Sequence, residues 1–182
     1  RTRETAGALE PERPAQAVTA EQQVVVLPTT TEGRWGSGLV EIVEVALFDA
    51  AGHPSHVFQS GEAMRLGMRL RTKQPVQDFV FGVGIFNAEG VCVYGTNTDL
   101  EAFEPSMLDG EANVDVFFES LELTEGTYKL DVAVHTRDGA PYDYHRLLYT
   151  FRVKSRVKDV GVYRPRHTWA FSTGVRIAPK PQ

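Results

Sequence analysis

From Trp35 onward, short runs rich in β-branched and aromatic residues alternate with turn signals about every ten residues. The turns contain glycine, proline, asparagine or aspartate, as in NAEG, LTEG and RDGAP. No stretch has the apolar period of an amphipathic helix. The sequence therefore predicts an all-β fold, an immunoglobulin-like antiparallel β-sandwich.

The chain divides into two parts by composition. Residues 1–33 contain no Phe, Trp, Tyr or Ile, which predicts a flexible linker that could include a short strand at QVVVL. Residues 34–182 are then the sandwich domain. Its predicted strands are 38–49, 62–72, 77–87, 91–97, 112–120, 127–136 and 143–157, and the pattern also allows a strand at 160–170.

Composition excludes several classes of protein. The 182 residues carry a formal net charge of −5 at pH 7, which argues against binding of nucleic acid or anionic membrane by the whole surface. A single cysteine, Cys92, excludes an internal disulfide framework and favours a reducing cytoplasm. No apolar run approaches the ~18 residues of a membrane span. Because the chain begins with Arg1 rather than methionine, we expect a fragment of a longer protein.

Alternation assigns the faces of the last two strands, because successive side chains of a strand point to opposite sides. Tyr128 follows a Glu-Gly-Thr turn and resembles the tyrosine corner of immunoglobulin-like sandwiches, whose hydroxyl bonds a nearby backbone group. The predicted core residues are Tyr128, Leu130, Val132 and Val134, then Leu147, Tyr149, Phe151 and Val153. The predicted outer residues are Lys129, Asp131, Ala133 and His135, then Tyr144, Arg146, Leu148, Thr150 and Arg152.

The hairpin around NAEG places three glycines on one outer face. With Asn87 opposite Gly90, Gly84 faces Val93 and Gly82 faces Gly95. Repeated glycine in a strand marks close approach by a ligand or another backbone, or it relieves twist or permits a bulge. By the same alternation, Tyr94 points with the core and Cys92 is a buried, inert thiol.

The usual catalytic and metal-binding motifs are missing. The sequence has no phosphate-binding loop, no His-Glu-x-x-His, no Cys-x-x-Cys and no Gly-x-Ser-x-Gly. His53 and His56 share one turn but lack a third and fourth ligand, so an exposed turn is the favoured interpretation. We therefore expect no enzymatic activity, no cofactor and no metal in this chain.

The outer face of the predicted sheet has the residue types that bind sugars. Recognition of a sugar needs donors and acceptors for hydroxyl groups and an aromatic surface for the C–H face of the ring. The candidate binding residues are Asn97, Asp131, His135, Tyr144 and Arg146, beside a floor made by Gly82, Gly84 and Gly95. The alternative is an ordinary solvated sheet face.

A run of cations follows in RVKSRVKD. Arg152, Lys154, Arg156 and Lys158 recur with a period of two and share one face of an extended strand. They could contact an anionic group or a partner domain, and Arg146 with Lys154 or Arg156 could pair with an anionic end group of a glycan. The favoured alternative is charge that protects an exposed edge strand from aggregation.

Several landmarks together carry a family resemblance. The segments RWGSGLVEIVEVALFDAAG, SGEAMRLGMRL, VFGVGIFNAEGVCVYGTNT and GVYRPRHTW resemble the carboxy-terminal domain of the Wzt family. These proteins are the nucleotide-binding subunits of bacterial ABC transporters that export O-antigen polysaccharide. The resemblance covers roughly residues 34 to 170.

The resemblance implies an immunoglobulin-like sandwich that binds the exported O-antigen polysaccharide. It also implies a linker to an ATPase domain, a membrane subunit as partner, a homodimer, and a cytoplasmic location at the inner face of the inner membrane. No nucleic-acid partner and no cofactor are expected. Two alternatives stay open, a dimerisation or docking domain without glycan binding and an enzyme that acts on glycans.

Overall fold

The computed structural model describes residues 33–178, in which nine β-strands form two sheets. The larger sheet, sheet A, has the order β1-β9-β8-β5-β6, with β3 parallel to the second half of β9. Its strands are β1 (Gly33–Trp35), β3 (Val57–Gln59), β5 (Val80–Phe86), β6 (Cys92–Asn97), β8 (Gly126–His135) and β9 (Pro141–Lys154). Of the linker predicted for residues 1–33, only Gly33 lies within the described residues, and it begins β1.

Sheet B is antiparallel and has the order β2-β4-β7. Its strands are β2 (Val40–Phe48), β4 (Met64–Thr72) and β7 (Glu111–Phe118). Apolar side chains from the inner faces of both sheets form one core, whose fully buried members include Ile42, Phe58, Leu66, Leu70, Leu130 and Phe151. The predicted all-β sandwich is therefore confirmed.

The seven predicted strands are all present, each to within three residues of its predicted ends. The sequence missed β1 and β3, which have only three residues each, too few to establish a period of two. The strand allowed at 160–170 is absent from the described structure, where one isolated bridge joins Tyr163 to Leu123. The prediction that Arg152 and Lys154 protect an exposed edge strand is also wrong, because β3 pairs with β9 at both residues and β8 pairs with it from the other side at Arg152 and Val153.

The tyrosine corner is confirmed. The Tyr128 hydroxyl donates a 2.9 Å hydrogen bond to the carbonyl oxygen of Thr124, four residues upstream. The ring is buried and stacks on Phe151, with 5.6 Å between the ring centroids. The turn before β8 is thereby anchored to the core.

A bulge in β9 shapes the outer face of sheet A. Leu130 pairs with Tyr149 and Val132 with His145, so residues 146–148 of β9 lie opposite Asp131 alone. Leu147 adopts a φ of 54° and donates its N–H to Asp131 Oδ1 at 2.7 Å. Sequence alternation placed Leu147 in the core; it is buried but outside the core cluster, because the bulge breaks the alternation.

A second bulge corrects the predicted hairpin register. Gly82 pairs with Asn97 and Gly84 with Gly95, two residues away from the expected pairing. The shift is even, so all three floor glycines keep the predicted face. Val93 is the extra residue, and it turns Cys92 outward, which makes the prediction of a buried thiol wrong. Tyr94 faces Phe118 of sheet B but is 47% exposed at the open edge.

Replacing Tyr128 with phenylalanine tests the corner. We expect the free energy of unfolding to fall by about 1 to 2 kcal/mol, because the variant removes a buried hydrogen bond and leaves the Thr124 carbonyl without this donor. Urea unfolding with an unchanged m-value measures the loss. Tyr163→Phe, at a ring that is 63% exposed, is the matched control and should leave stability unchanged.

Candidate functional site

One row of residues crosses all five neighbouring strands on the outer face of sheet A. Trp35 pairs with Tyr144, Tyr144 with Ala133, Ala133 with Gly82, and Gly82 with Asn97. Strands lie about 4.8 Å apart, so the row spans about 19 Å. Two aromatic rings stand at one end, small residues lie in the middle, and an amide stands at the other end.

A groove of about 240 Å³ lies over the centre of this row. Seven of the eight predicted site residues line it: Gly82, Gly84, Gly95, Asn97, Asp131, His135 and Tyr144. Phe86, Cys92 and Thr96 also contribute to the lining. Arg146, the eighth, is not among the lining residues and lies opposite Gly33 of β1.

Tyr144 is held in place from two sides. Its hydroxyl donates a 2.8 Å hydrogen bond to Asp131 Oδ2, and its ring stacks on Trp35 with 4.7 Å between centroids and an interplanar angle of 11°. Burial raises the pKa of Tyr144, and the nearby Asp131 carboxylate raises it further, so the hydroxyl stays protonated. Asp131 has both oxygens engaged, by Tyr144 and by the Leu147 N–H, and therefore acts as support for the ring.

Asp131 itself is only 5% exposed. Loss of hydration raises the pKa of this carboxyl group, and the hydrogen bonds from Leu147 and Tyr144 oppose that shift only in part. The carboxyl group of Asp131 therefore adds almost no exposed acidic surface to the groove.

Asn97 and His135 supply opposite hydrogen-bonding functions. Asn97 Oδ1 accepts the Leu100 N–H at 2.7 Å, which leaves the amide NH₂ as donor. His135 Nδ1 lies 2.6 Å from the Thr136 carbonyl oxygen, which assigns the proton to Nδ1 and leaves Nε2 as acceptor. The groove therefore offers a donor and an acceptor, as adjacent sugar hydroxyls require.

The backbone conformation does not require glycine at the three floor positions. Gly82, Gly84 and Gly95 all lack a positive φ, and a Cβ at Gly82 or Gly95 would make only ordinary contacts of 3.6 Å or more. At Gly84 a Cβ would come within 3.0 Å of the Phe86 ring. Gly36 differs, since its φ is 148° and a Cβ would lie 2.2 Å from the Tyr142 carbonyl oxygen. The floor glycines thus keep space open above the sheet.

An ion pair between the half-exposed Arg34 and the buried Asp143 lies beneath the aromatic end of the groove. Arg34 of β1 binds Asp143 in bidentate fashion, with Nε–Oδ1 and Nη2–Oδ2 distances of 2.9 and 2.7 Å. Asp143 Oδ2 also accepts the Ile42 N–H of sheet B at 2.7 Å. We name Arg34, Asp143 and His145 the clamp, because they fix β1, and with it Trp35, to β9 and β2.

Burial and charge oppose each other at the clamp. Burial by itself would raise the pKa of Asp143, but the hydrogen bonds from Arg34 and Ile42 outweigh it and the pKa is lowered. Burial lowers the pKa of His145, and the Asp143 charge offsets this only in part. His145 Nδ1 lies 2.6 Å from the Tyr149 hydroxyl, while its buried Nε2, 3.2 Å from Asp143 Oδ1, makes no well-formed hydrogen bond.

Comparison with known proteins decides the family. Residues 31–165 match the family described as the Wzt C-terminal domain. The chain belongs to this family. The O-antigen export system ATP-binding protein RfbB of Myxococcus xanthus is 29% identical over 137 residues, which are 75% of this chain but only 30% of that protein.

A solved structure supports the fold of this Wzt C-terminal domain. The crystal structure of the C-terminal domain of Wzt covers 79% of this chain and 90% of its own, with 19% identity and a TM-score of 0.71. Within residues 33–178, the Wzt C-terminal domain has no cluster of three or more His, Cys, Asp or Glu placed to hold a metal ion. The same range has no helix with the length and hydropathy of a transmembrane segment.

Sequence reasoning missed part of the site in this Wzt C-terminal domain. The sequence indicates Trp35 only as the start of the domain, and Asp143 only as the first residue of a predicted strand. Alternation already put Asp143 and His145 on the inward face with Tyr149, where buried polar residues need partners. That signal could have found the clamp, although not its partner Arg34.

Replacing Arg34 should show how much the ion pair stabilises the buried carboxylate of Asp143. We expect Arg34→Met to lower the free energy of unfolding by about 2 to 3 kcal/mol, because Asp143 then keeps its charge in the core without its main partner. The exposed pair Arg71–Glu41 gives a matched control, for which Arg71→Met should lower stability much less. Urea unfolding measures both variants, and equal losses would contradict the role of the clamp.

His145 should make the Wzt C-terminal domain lose stability in mild acid. The folded pKa of His145 lies below its unfolded value of about 6.5, so unfolding takes up a proton and stability falls as pH drops below about 6.5. Asp143, whose folded pKa is lowered, adds a further loss only below about pH 4. Unfolding curves measured between pH 8 and pH 5, about 1.5 units either side of the unfolded histidine pKa, test this prediction. In His145→Gln the free energy of unfolding should depend less on pH over this range.

Proposed function

We propose that this domain is a non-catalytic module that binds O-antigen polysaccharide in the groove on the outer face of sheet A. Family membership and the name of the Myxococcus xanthus relative support the setting, the ATP-binding subunit of an export system. One structural observation supports the site: seven residues chosen for sugar-binding chemistry line a single groove.

The groove has complementary parts for a carbohydrate. The stacked pair Trp35–Tyr144 offers an aromatic surface for the C–H face of a sugar ring. Asn97 and His135 supply the donor and the acceptor for hydroxyl groups at the other side. The glycine floor lets a ring approach the sheet. A glycan lying across the strands would contact all three parts at once.

The wider setting is also a proposal. Residues 1–33 would tether the domain to an ATPase domain, and a membrane subunit and a second copy of the chain would complete the transporter. The domain would then act in the cytoplasm at the inner face of the inner membrane. A groove of this size binds one or two sugars weakly, so two domains per transporter would act together through avidity.

A second candidate is a dimerisation or docking domain without glycan binding. An apolar cavity of about 300 Å³ opens between the edge strands of the two sheets, lined by Val93, Tyr94, Phe118 and Leu121 among others. Half-exposed aromatic residues at such an edge suit a protein contact. This candidate predicts association without sugar affinity.

Calorimetric titration with the O-polysaccharide of the source organism tests the proposal, with an unrelated polysaccharide as control. We expect selective binding that falls more than about tenfold in Tyr144→Ala and Asn97→Ala, since each removes a direct contact. Gly82→Val should do the same by filling the floor, while Tyr163→Ala should bind normally. Folded variants that bind like the wild type would refute the site.

The single cysteine gives a second, independent measurement. Cys92 lines the groove and its thiol is exposed, so it should react readily with a small alkylating reagent. A saturating amount of the cognate glycan should slow this alkylation, whereas an unrelated polysaccharide should not. An unchanged rate in the presence of bound glycan would place the binding site elsewhere.

A further inference from the structure

Positive charge is segregated to the end of the chain. Residues 152–182 carry eight of the nineteen lysines and arginines but only one of the 24 acidic residues, Asp159. The rest of the chain therefore has a large excess of acidic over basic residues, since the whole chain has a net charge of −5. Such asymmetry within one domain indicates a local surface for an anionic partner.

The structure gathers part of this charge on the outer face of sheet A. Arg152 and Lys154 are exposed and alternate with the buried Phe151 and Val153, so both project away from the core. With Arg156 they line a groove of about 430 Å³. We name Arg152, Lys154 and Arg156 the cationic patch.

Cations elsewhere on the described surface are mostly neutralised by partners. Sheet B pairs Arg65 with Asp115, Arg69 with Glu44 and Arg71 with Glu41. The three residues of the cationic patch form no ion pair within residues 33–178. The carboxylate that lines their groove, Glu125, is bound to Lys158 and to the Ser155 N–H.

Neither edge protection nor an anion shared with Arg146 accounts for the cationic patch. Edge protection fails because β9 is flanked on both sides. A shared anion with Arg146 fails too. Arg146 lies opposite Asp131 of β8, whereas Val153, next to Lys154, pairs with Gly126, which is five residues or about 17 Å from Asp131 along β8. No single phosphate or carboxylate spans that distance.

We propose that the cationic patch docks the domain onto a membrane surface rich in acidic phospholipids. Exposed apolar side chains adjoin the cations: Val57 lies directly opposite Arg152 and is 45% exposed, and Val157 follows Arg156 and is 49% exposed. Cations beside small apolar groups suit the phosphate and interfacial layers of a bilayer. The groove proposed to bind glycan lies on the same face of sheet A. It is about 13 Å from Arg152 along β8, so docking of the cationic patch would turn that groove toward the membrane.

Vesicle flotation with the whole 182-residue chain tests this proposal without any glycan, so its outcome is independent of the proposed function. The probe is a vesicle of phosphatidylcholine with phosphatidylglycerol, compared with pure phosphatidylcholine. We expect binding only to the acidic vesicles, and loss of it when salt is raised from about 0.1 M to about 1 M. No binding at the lower salt would overturn the proposal.

A pair of matched triple variants locates the surface. Arg152→Gln/Lys154→Gln/Arg156→Gln should lower vesicle partitioning at least about tenfold. Arg69→Gln/Arg71→Gln/Arg166→Gln has the same net charge but removes exposed, paired arginines, and it should bind nearly as the wild type does. Equal losses would mean a net-charge effect and would refute the patch. Binding to soluble polyglutamate but not to vesicles would instead assign the surface to an acidic protein.

Discussion

The buried carboxylate of Asp143 connects the parts of the structure on which the groove depends. It accepts two hydrogen bonds from Arg34 of β1 and one from the Ile42 N–H of sheet B, while its own backbone belongs to β9. A three-residue strand such as β1 has too few ladder hydrogen bonds to be held by pairing alone. The ion pair supplies the missing constraint, and it sets the position of Trp35 against Tyr144.

The bulge in β9 complements the clamp by fixing the other side of Tyr144. Three residues of β9 lie opposite Asp131, which turns the Leu147 N–H toward the carboxylate. Asp131 can then accept both this N–H and the Tyr144 hydroxyl, so a buried acid is satisfied without a counter-ion in direct contact. Two carboxylates, one on each face of sheet A, thus determine where the aromatic end of the groove stands.

The alternation of side chains predicted faces well and local irregularities poorly. It placed seven of the eight candidate residues around one groove because the period of two holds locally at Gly82, Asn97, Asp131 and Tyr144, although β6 and β9 each contain a bulge elsewhere. It failed at Leu147 and Cys92 because a bulge adds residues without a sequence signal strong enough to locate it. Trp35 and Arg34 were missed since their strand is too short for any period, and long-range contacts alone give it structure.

The outer face of sheet A separates two kinds of chemistry along the strands. At the groove, the one acid is buried and hydrogen-bonded, His135 offers a lone pair, and the uncharged Asn97 offers donors. This environment favours neutral hydroxyl groups, because a charged ligand would find no fixed counter-ion among the lining residues. Four residues further along β8 the surface becomes cationic and exposed. A ligand of the groove would therefore be selected by shape and hydrogen bonding, whereas a partner at the other end of the same face would be held by charge and its binding would weaken with salt.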